Sequence, residues 1–313
     1  MQKKPTTATS PMQKKDRYVV SVVITTRNRS AMLREAIESV LAVKNPKFDI
    51  ELIVVDDGST DNTPEAVSQY PVRSFRTTGI GMAGARNLGL HNATGDFFTL
   101  LDDDDVWLPN NIALQIALFE ERPDLGSVHA QFRNTRPDLT PVGNPGPECS
   151  YESGWIFEEL LTYFPQVATI LTRMDVAREA GDFDPSLTGD NDWDWLLRIA
   201  RRYQIGRIAE PVLLFRSRDK ADERLAWRRF PAVVTIFNRH TRNLSLIQQI
   251  KLRPILWRHR GWWATFYFLT YSIMHFKNRN RSQALRSFYY ACRASPPHVL
   301  FSLPRFLKAL LQS

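Results

Sequence analysis

The chain is poor in cysteine and lacks any long apolar run. Only two of its 313 residues are cysteines, Cys149 and Cys292, so a disulfide framework is not indicated and the reducing cytoplasm is the simpler expectation. No run of about 18 or more apolar residues occurs, which argues against a membrane span. Residues 1–17 are polar and contain no apolar segment typical of a secretory signal, so they predict a disordered tail.

Acidic residues are missing from the last part of the chain. After Glu223 there is no Asp or Glu, while residues 224–313 contain 16 Lys or Arg. The first 223 residues hold 25 basic and 33 acidic residues, so the formal net charge of +8 combines an acidic body with a basic extension. Such an asymmetry predicts two parts with different tasks.

Strand-like and helix-like segments alternate over the first 125 residues. Tyr18–Thr26, residues 50–55 and residues 97–101 are apolar runs of strand length, and residues 30–41 and 109–121 have helical periodicity. This alternation predicts an α/β fold with a mixed, mostly parallel sheet and helices on both faces.

The pattern beyond residue 125 is less regular. Residues 133–150 are rich in Pro, Gly and Asn and predict a loop, residues 195–202 predict a helix, and residues 212–216 predict the last strand. We therefore expect a catalytic domain over residues 18–220, followed by a basic, aromatic, helical extension over residues 221–313.

Three polar clusters follow predicted strands, namely Thr25–Asn28, Asp56–Ser59 and Asp102–Asp105. Ligands of open α/β sheets bind beyond the carboxyl ends of the strands, so the clusters predict a common site. The four adjacent aspartates repel one another, and a cation is expected beside them. Mg²⁺ and Mn²⁺ take one or two carboxylates and complete their shell with phosphate and water. A solvated acidic loop, or a charge cluster at the N-terminus of the helix that starts at Pro109, is the alternative.

Taken in order, the motifs resemble family 2 of the glycosyltransferases, which have the GT-A fold. The resemblance extends over about residues 18–216. The matching segments are Thr25-Thr26-Arg27-Asn28, residues 54–61 (VVDDGSTD), residues 85–89 (ARNLG), Gly95-Asp96, residues 101–107 (LDDDDVW), residues 181–184 (GDFD) and Asp192-Trp193-Asp194.

The resemblance implies a nucleotide-diphosphate sugar as donor. The positions that match the family's donor pocket are Thr25, Thr26, Arg27, Asp56, Asp57, Arg86, Asp102 and Asp103. Among them, Asp57, with Asp56 beside it, matches the carboxylate that binds the nucleotide base, and Asp103 matches a ribose contact. An Asx turn before Ser59 and a surface position for Arg86 are the alternatives.

The resemblance also implies the metal ligands and the base. Asp102 and Asp104 match the DxD signature, so Asp104, supported by Asp102, is expected to bind Mn²⁺ or Mg²⁺. The family's Glu-Asp pair reads Asn191-Asp192 here, which leaves Asp192 or Asp190 as the base of an inverting, single-displacement transfer. A helix N-cap is the alternative for this segment.

Two arginines and two tryptophans complete the candidate residues. Arg216 and Arg218 stand where many relatives carry a His, and their forked donors suit a diphosphate, although both residues are equally consistent with solvated positions. Trp193 and Trp195 are candidates to stack on an acceptor sugar or, alternatively, belong to the core.

The expected acceptor is a saccharide or a lipid-linked saccharide used in envelope or polysaccharide synthesis. An anionic membrane surface is a further expected partner, because Gly261–Phe276 is apolar over only 16 residues and suits an interface at the inner face of a membrane. A helical subdomain packed on the catalytic domain is the alternative.

Three other functions compete with glycosyl transfer. The basic, aromatic extension suits a nucleic-acid-binding protein, but no recognition motif occurs and no nucleic acid is expected as a partner. A nucleotidyltransferase also uses metal-binding carboxylates, yet it normally has a glycine-rich loop where Thr25–Ser30 stands. A catalytically inactive relative is the third, and the intact acidic run argues against it.

Overall fold

The computed structural model describes residues 11–146, 152–161, 164–217, 223–256 and 262–311. The chain divides into two compact units. The first comprises Met1–Phe157, Phe164–Leu187 and Asn191–Asp219, and the second comprises Glu158–Tyr163, Thr188–Asp190 and Lys220–Ser313.

The first unit is built on an eight-stranded mixed sheet. Its strands are β1 (Tyr18–Thr26), β2 (Phe48–Asp56), β3 (Arg73–Arg76), β4 (Phe97–Asp102), β5 (Val106–Trp107), β6 (Leu125–Thr135), β7 (Ile170–Arg173) and β8 (Gln204–Arg216). Their order is β3-β2-β1-β4-β7-β6-β8-β5. The strands β3, β2, β1 and β4 are parallel, β7 is antiparallel to both of its neighbours, and β6 is parallel to β8. The predicted mixed α/β fold is confirmed.

Helices connect these strands and pack on the sheet. They are α1 (Ser30–Leu41), α2 (Thr63–Val67), α3 (Gly81–Asn92), α4 (Asn111–Glu121), α6 (Met174–Ala180) and α7 (Asn191–Ala200), while the short helix α5 (Phe157–Leu160) belongs, except for Phe157, to the second unit. In α1, Leu33, Ala36, Ile37 and Val40 are buried, as their helical spacing predicts. In α3, Gly89 lies so close to β1 that an added Cβ would meet Val23 Cγ1 at 2.3 Å. This close approach brings Arg86, one turn earlier, to the carboxyl edge of the sheet.

The largest departures from the sequence-based prediction lie beyond residue 121. An eleven-residue strand, β6, extends into the segment predicted as a loop from residue 133. Strand β8 begins at Gln204 rather than 212, and α7 begins at Asn191 rather than 195. Strand β6 is not recognisable from its sequence, because the buried polar residues Ser127, His129 and Thr135 interrupt its apolar pattern.

The polar N-terminal segment is not wholly a free tail. Residues 11–17 are described, and Met12 packs against the main core cluster and donates its backbone N–H to Pro123 O. Arg17 pairs with Asp49. The predicted disorder is therefore wrong for residues 11–17, and residues 1–10 lie outside the described residues.

The second unit is mainly helical over its described part. Its helices are α8 (Glu223–Thr241), α9 (Leu246–Leu256), α10 (Trp262–Lys277), α11 (Arg281–Ala294) and α12 (Pro296–Leu311). Helices α8, α10, α11 and α12 enclose a small apolar core that includes Phe230, Phe268, Ala291, Val299 and Phe306. Within the described ranges, no helix of the protein is both long and apolar enough to cross a bilayer.

Candidate active site

The three polar clusters end neighbouring parallel strands and lie in one row. Strand register aligns Thr25 with Asp102 and Thr26 with Asp56, and Asp56 is aligned in turn with Arg76. Thr26 Oγ1 donates to Asp103 Oδ2 at 2.7 Å, which joins the end of β1 to the acidic turn. The carboxyl edge of the sheet therefore gathers polar groups from β1, β2 and β4. Arg27 lies on this edge as an exposed side chain.

Asp102–Asp105 form a turn between β4 and β5, and the contacts of their carboxylates include three different arginines. Asp102 Oδ1 lies 3.2 Å from Arg86 Nη2. Arg29 Nη1 lies 2.7 Å from Asp103 Oδ1 and 3.1 Å from Asp104 Oδ2. Asp105 Oδ1 accepts the backbone N–H of Arg216 at 2.9 Å. The four aspartates thus contact Arg86 of α3, Arg29 just before α1, and the end of β8.

Negative charge remains in excess around this turn despite the two arginines. Burial, opposed by Arg86 and reinforced by Asp104 and Asp192, raises the pKa of Asp102 to about 6. Burial, opposed by Arg29, also raises the pKa of Asp103. Burial and the neighbouring Asp102 raise the pKa of Asp105 well above its usual range. A donor diphosphate at this edge would add further negative charge, which a cation beside the turn would offset.

The residues of the turn fit a divalent cation. Asp105 Oδ2 is buried and has no hydrogen-bond partner among the described residues, a state that in proteins calls for an ion or a water. Within the same ranges no group of three or more His, Cys, Asp or Glu side chains is arranged to hold a metal ion by itself. Mg²⁺ at phosphate sites is commonly bound by one or two carboxylates together with substrate phosphates and water.

Arg86 is a buried cation that joins the acidic turn to the start of α7. Its side chain is 3% exposed, and its Nη1 donates to Asn191 Oδ1 at 2.8 Å. The same Nη1 lies 3.3 Å from Asp192 Oδ2. Asp102 and Asp192 therefore share one guanidinium group. The surface position considered for Arg86 is wrong.

The two candidates for the base differ in their surroundings. The Asp192 side chain is 16% exposed, and its Oδ1 accepts the backbone N–H of Trp193 at 2.9 Å. Asp190 belongs to the second unit, where its side chain is 1% exposed and both of its oxygens accept from Arg229, at 2.5 and 2.9 Å. The bidentate pair occupies both oxygens of Asp190, whereas the Asp192 side chain is the more exposed of the two.

Asp56 and Asp57 both hold the loops around them. Asp57 Oδ1 accepts from Thr77 Oγ1 and Ile80 N, at 2.6 and 2.7 Å, and its Oδ2 accepts from Gly81 N at 2.9 Å. Asp56 Oδ1 accepts from Ser59 N at 2.8 Å, in the turn that the sequence allowed as an alternative. Asp57 Oδ2 retains a lone pair for a further donor.

Arg216 is buried against the acidic turn. Its Nε donates to Asp104 O at 2.8 Å, and its two terminal nitrogens bond Pro137 O and Glu35. In this position it fixes the end of β8 to the turn, and its contact with a diphosphate stays a prediction. Arg218 lies outside the described residues.

Trp193 and Trp195 are core residues. Trp193 is 0% exposed and Trp195 is 3% exposed. The Trp195 ring stacks on Phe183 at 5.0 Å between centroids, and its Nε1 donates to Gly181 O. Neither ring offers a face to an acceptor sugar, so the structure favours the core interpretation over stacking on substrate.

Comparison with known proteins gives the family. The profile described as "Glycosyl transferase family 2" matches residues 21–179, about half of the chain. The chain belongs to glycosyltransferase family 2. The match begins inside β1 and ends in α6, so it contains the acidic turn and Arg86.

Several bacterial glycosyltransferases are similar to this chain in sequence. An uncharacterized glycosyltransferase of Rickettsia felis is 30% identical over 194 residues, 60% of this chain and 31% of that protein. One from Nostoc is 35% identical over 176 residues, 53% of this chain and 54% of that protein. The chain thus spans about a third to a half of these relatives. Escherichia coli WfgD, named a UDP-Glc:alpha-D-GlcNAc-diphosphoundecaprenol beta-1,3-glucosyltransferase, is 36% identical over 107 residues, 33% of this chain and 42% of that protein.

Solved glycosyltransferase structures share the fold. Staphylococcus aureus TarS 1–349, in complex with UDP-GlcNAc, superposes with a TM-score of 0.54 at 16% identity over 88% of this chain and 92% of that one. The mannosyltransferase PcManGT of Pyrobaculum calidifontis, in complex with GDP-Man and Mn²⁺, gives 0.60 at 17% identity, over 90% and 87%. At these identities the likeness establishes the fold alone.

Two residues of this family 2 site escaped the sequence-based prediction. Arg29 contacts Asp103 and Asp104, the predicted ribose contact and metal ligand. Gln166 Nε2 lies 3.5 Å from Asp102 Oδ2. Arg29 stands in the polar cluster after β1, directly beside the residues that were considered, so its place in the sequence was the available signal.

Proposed function

We propose that the protein transfers a sugar from a nucleotide-diphosphate donor to a hydroxyl acceptor. One observation supports this most: Arg86 contacts both Asp102 of the acidic turn and Asp192 at the start of α7. A candidate metal ligand and a candidate base are thereby held on one buried cation at the carboxyl edge of the sheet. Membership of family 2 and the nucleotide sugars bound by TarS and PcManGT support the same chemistry.

Asp104 and Asp102 would hold a divalent cation, Mn²⁺ or Mg²⁺, which when bound neutralises charge on the leaving diphosphate. Thr25, Thr26, Arg27, Asp56, Asp57 and Asp103 would line the nucleotide pocket. Asp57 would accept from the base through the lone pair left on Oδ2, because three protein donors already fix its orientation.

Asp192 is the proposed base. Its more exposed carboxylate would take the proton of the acceptor hydroxyl as that oxygen attacks the anomeric carbon and the bond to the diphosphate breaks, with inversion of the centre. Asp192 lies in the first turn of α7, and Arg86 Nη1 lies 3.3 Å from its Oδ2, so the position of the carboxylate is fixed from two directions. Asp190, held by Arg229, is assigned a structural role.

The proposed acceptor is a saccharide, free or carried by a lipid at the inner face of a membrane. The lipid-linked substrate in the name of WfgD supports this class. The basic composition of residues 224–313 supports attachment of the protein to an anionic membrane surface.

A screen of donors tests the proposal. UDP-, GDP- and dTDP-sugars are added to the purified chain with Mn²⁺, and thermal melting is recorded, because a ligand that binds the folded state raises the melting temperature. One donor class should stabilise the protein and release nucleoside diphosphate when a saccharide or lipid-linked acceptor is supplied. Absence of both stabilisation and transfer with all three donor classes would refute the proposal.

A further inference from the structure

Helix α12 carries large apolar side chains both inside its buried stripe and outside it. Val299, Leu303 and Phe306 pack in the core of the helical unit. Outside that stripe Leu300, Phe301 and Leu307 are 70%, 80% and 49% exposed, and we call this set the outer side of α12. Among the described residues, these three side chains are left largely uncovered.

Helix α9 repeats this pattern. Its Leu246, Ile247 and Ile250 are 72%, 67% and 59% exposed, while Leu252 is buried. Spacings of one, three and four residues place the three exposed side chains on a single stripe of the helix. Single exposed apolar residues are common on proteins, but contiguous stripes mark surfaces that bind another molecule.

Basic residues accompany both apolar stripes. The exposed Lys251 follows Ile250 in α9, and the exposed Lys308 follows Leu307 in α12. No acidic residue occurs anywhere in residues 224–313, against 16 Lys or Arg. This charge complements an anionic partner and opposes a second copy of the same surface, which would bring like charges together.

Helices that lie at the membrane–water interface of an anionic bilayer typically carry Leu, Ile and Phe beside Lys. Such helices insert their apolar side at the depth of the head groups and keep their basic residues near lipid phosphates. An acidic protein surface would pair with the lysines, but the two apolar stripes would then need a separate apolar contact.

We propose that the outer sides of α9 and α12 bind the surface of a membrane that contains anionic phospholipid. These two sides are the surface through which the membrane attachment of the proposed function would occur. It rests on exposure and charge alone, so vesicle binding, which needs neither donor nor acceptor, is measured separately from sugar transfer.

Vesicle flotation of the full chain tests this surface. The probes are vesicles of phosphatidylcholine and vesicles of phosphatidylcholine with phosphatidylglycerol. The protein should float with the second and not with the first. Leu300→Ser with Phe301→Ser should lower the partition coefficient about tenfold, because two apolar side chains no longer insert. Lys251→Glu with Lys308→Glu should lower it by about fivefold or more for each basic charge removed.

Matched variants in the first unit separate a local effect from a general one. Val142→Ser removes an apolar side chain that is 47% exposed, and Lys44→Glu reverses an exposed charge. Both controls should float like the unchanged protein, and all variants should keep their melting temperature because the altered side chains are exposed.

Three results would overturn the proposal. The first is failure of the unchanged protein to float with anionic vesicles. The second is unchanged flotation of the Leu300→Ser, Phe301→Ser variant. The third is binding to an acidic polypeptide, such as polyglutamate, that exceeds binding to anionic vesicles and is lost in the same variants, which would assign the surface to an acidic protein.

Discussion

The two parts of the chain use charge in opposite ways. In the first unit, charges of both signs lie below the surface and contact one another, as Arg86 does with Asp102 and Asp192. In residues 224–313 the charge has one sign, and exposed apolar stripes lie beside it. Buried opposite charges hold a small ligand in a fixed geometry, whereas exposed charge of one sign attracts an extended surface. The difference distinguishes the candidate active site of the first unit from the proposed membrane-binding surface in residues 224–313.

The largest expected effect concerns the base in the acidic unit. Asp192→Asn should lower the rate of sugar transfer by about 10²- to 10⁴-fold, because the amide cannot take the acceptor proton. The measurement is release of nucleoside diphosphate from the donor that the thermal screen selects, with acceptor present.

Asp190→Asn is the matched control for this change. It weakens the pair with Arg229 and should act mainly on stability, so transfer per folded molecule should change by less than about tenfold. Retained transfer in Asp192→Asn together with lost transfer in Asp190→Asn would reverse the assignment of the base.

The next prediction compares the loss in free energy of unfolding when a buried arginine and an exposed arginine are removed. Arg86→Met leaves Asp102 and Asp192 without their shared cation and should lower the free energy of unfolding by about 3 kcal/mol. Arg202→Met breaks a pair with Glu179 in which both side chains are about half exposed, and should cost less than about 1 kcal/mol. Urea unfolding measures both, and equal losses would contradict the distinction.

A smaller effect concerns the buried His129, which makes the free energy of unfolding depend on pH. Burial, assisted by Arg207, lowers the pKa of His129 to about 3 from 6.5. Below pH 6.5 the unfolded chain takes up a proton that the folded protein refuses until about pH 3, so acid destabilises the fold. The loss is about 1.4 kcal/mol per pH unit in that window, and it is absent above it.

His129→Gln removes this titration and leaves the carboxylates in place. The free energy of unfolding, measured in urea at pH 7 and pH 5, should fall by about 2 kcal/mol more for the unchanged protein than for the variant. The same pH dependence in both proteins would contradict this, because it would show that the pKa of His129 is the same in the folded and unfolded states.

Much of the sheet could be predicted because its central strands are continuous apolar runs. Strands β1, β2 and β4 are buried on both faces, and each ends in a polar cluster, so the sequence marks both the strand and its functional edge. Strand β6 could not be predicted in the same way. Its buried Ser127 bonds Leu171 O and Thr172 Oγ1 on β7, and a polar residue satisfied by a distant strand resembles a loop residue.

The candidate site was predicted as a set of residue types but not as a set of pairs. The sequence marked Arg86 and Asp192 separately, yet their contact joins residues about a hundred positions apart. Asn191, read as a departure from the family's motif, proves to be the hydrogen-bond acceptor of Arg86. Trp193 and Trp195 show the opposite case, because their burial depends on the packing of α7 and not on the motif that contains them.

The most direct test of the account is calorimetric titration of the nucleoside diphosphate selected by the screen, with Mn²⁺ and without divalent metal. The account predicts that affinity falls by about tenfold or more, or about 1.4 kcal/mol, when the metal is removed. Asp104→Asn should abolish this dependence, while Lys44→Glu should leave it intact. Equal affinity of the unchanged protein with and without metal would contradict the assignment of the acidic turn as the metal-binding side of the donor site.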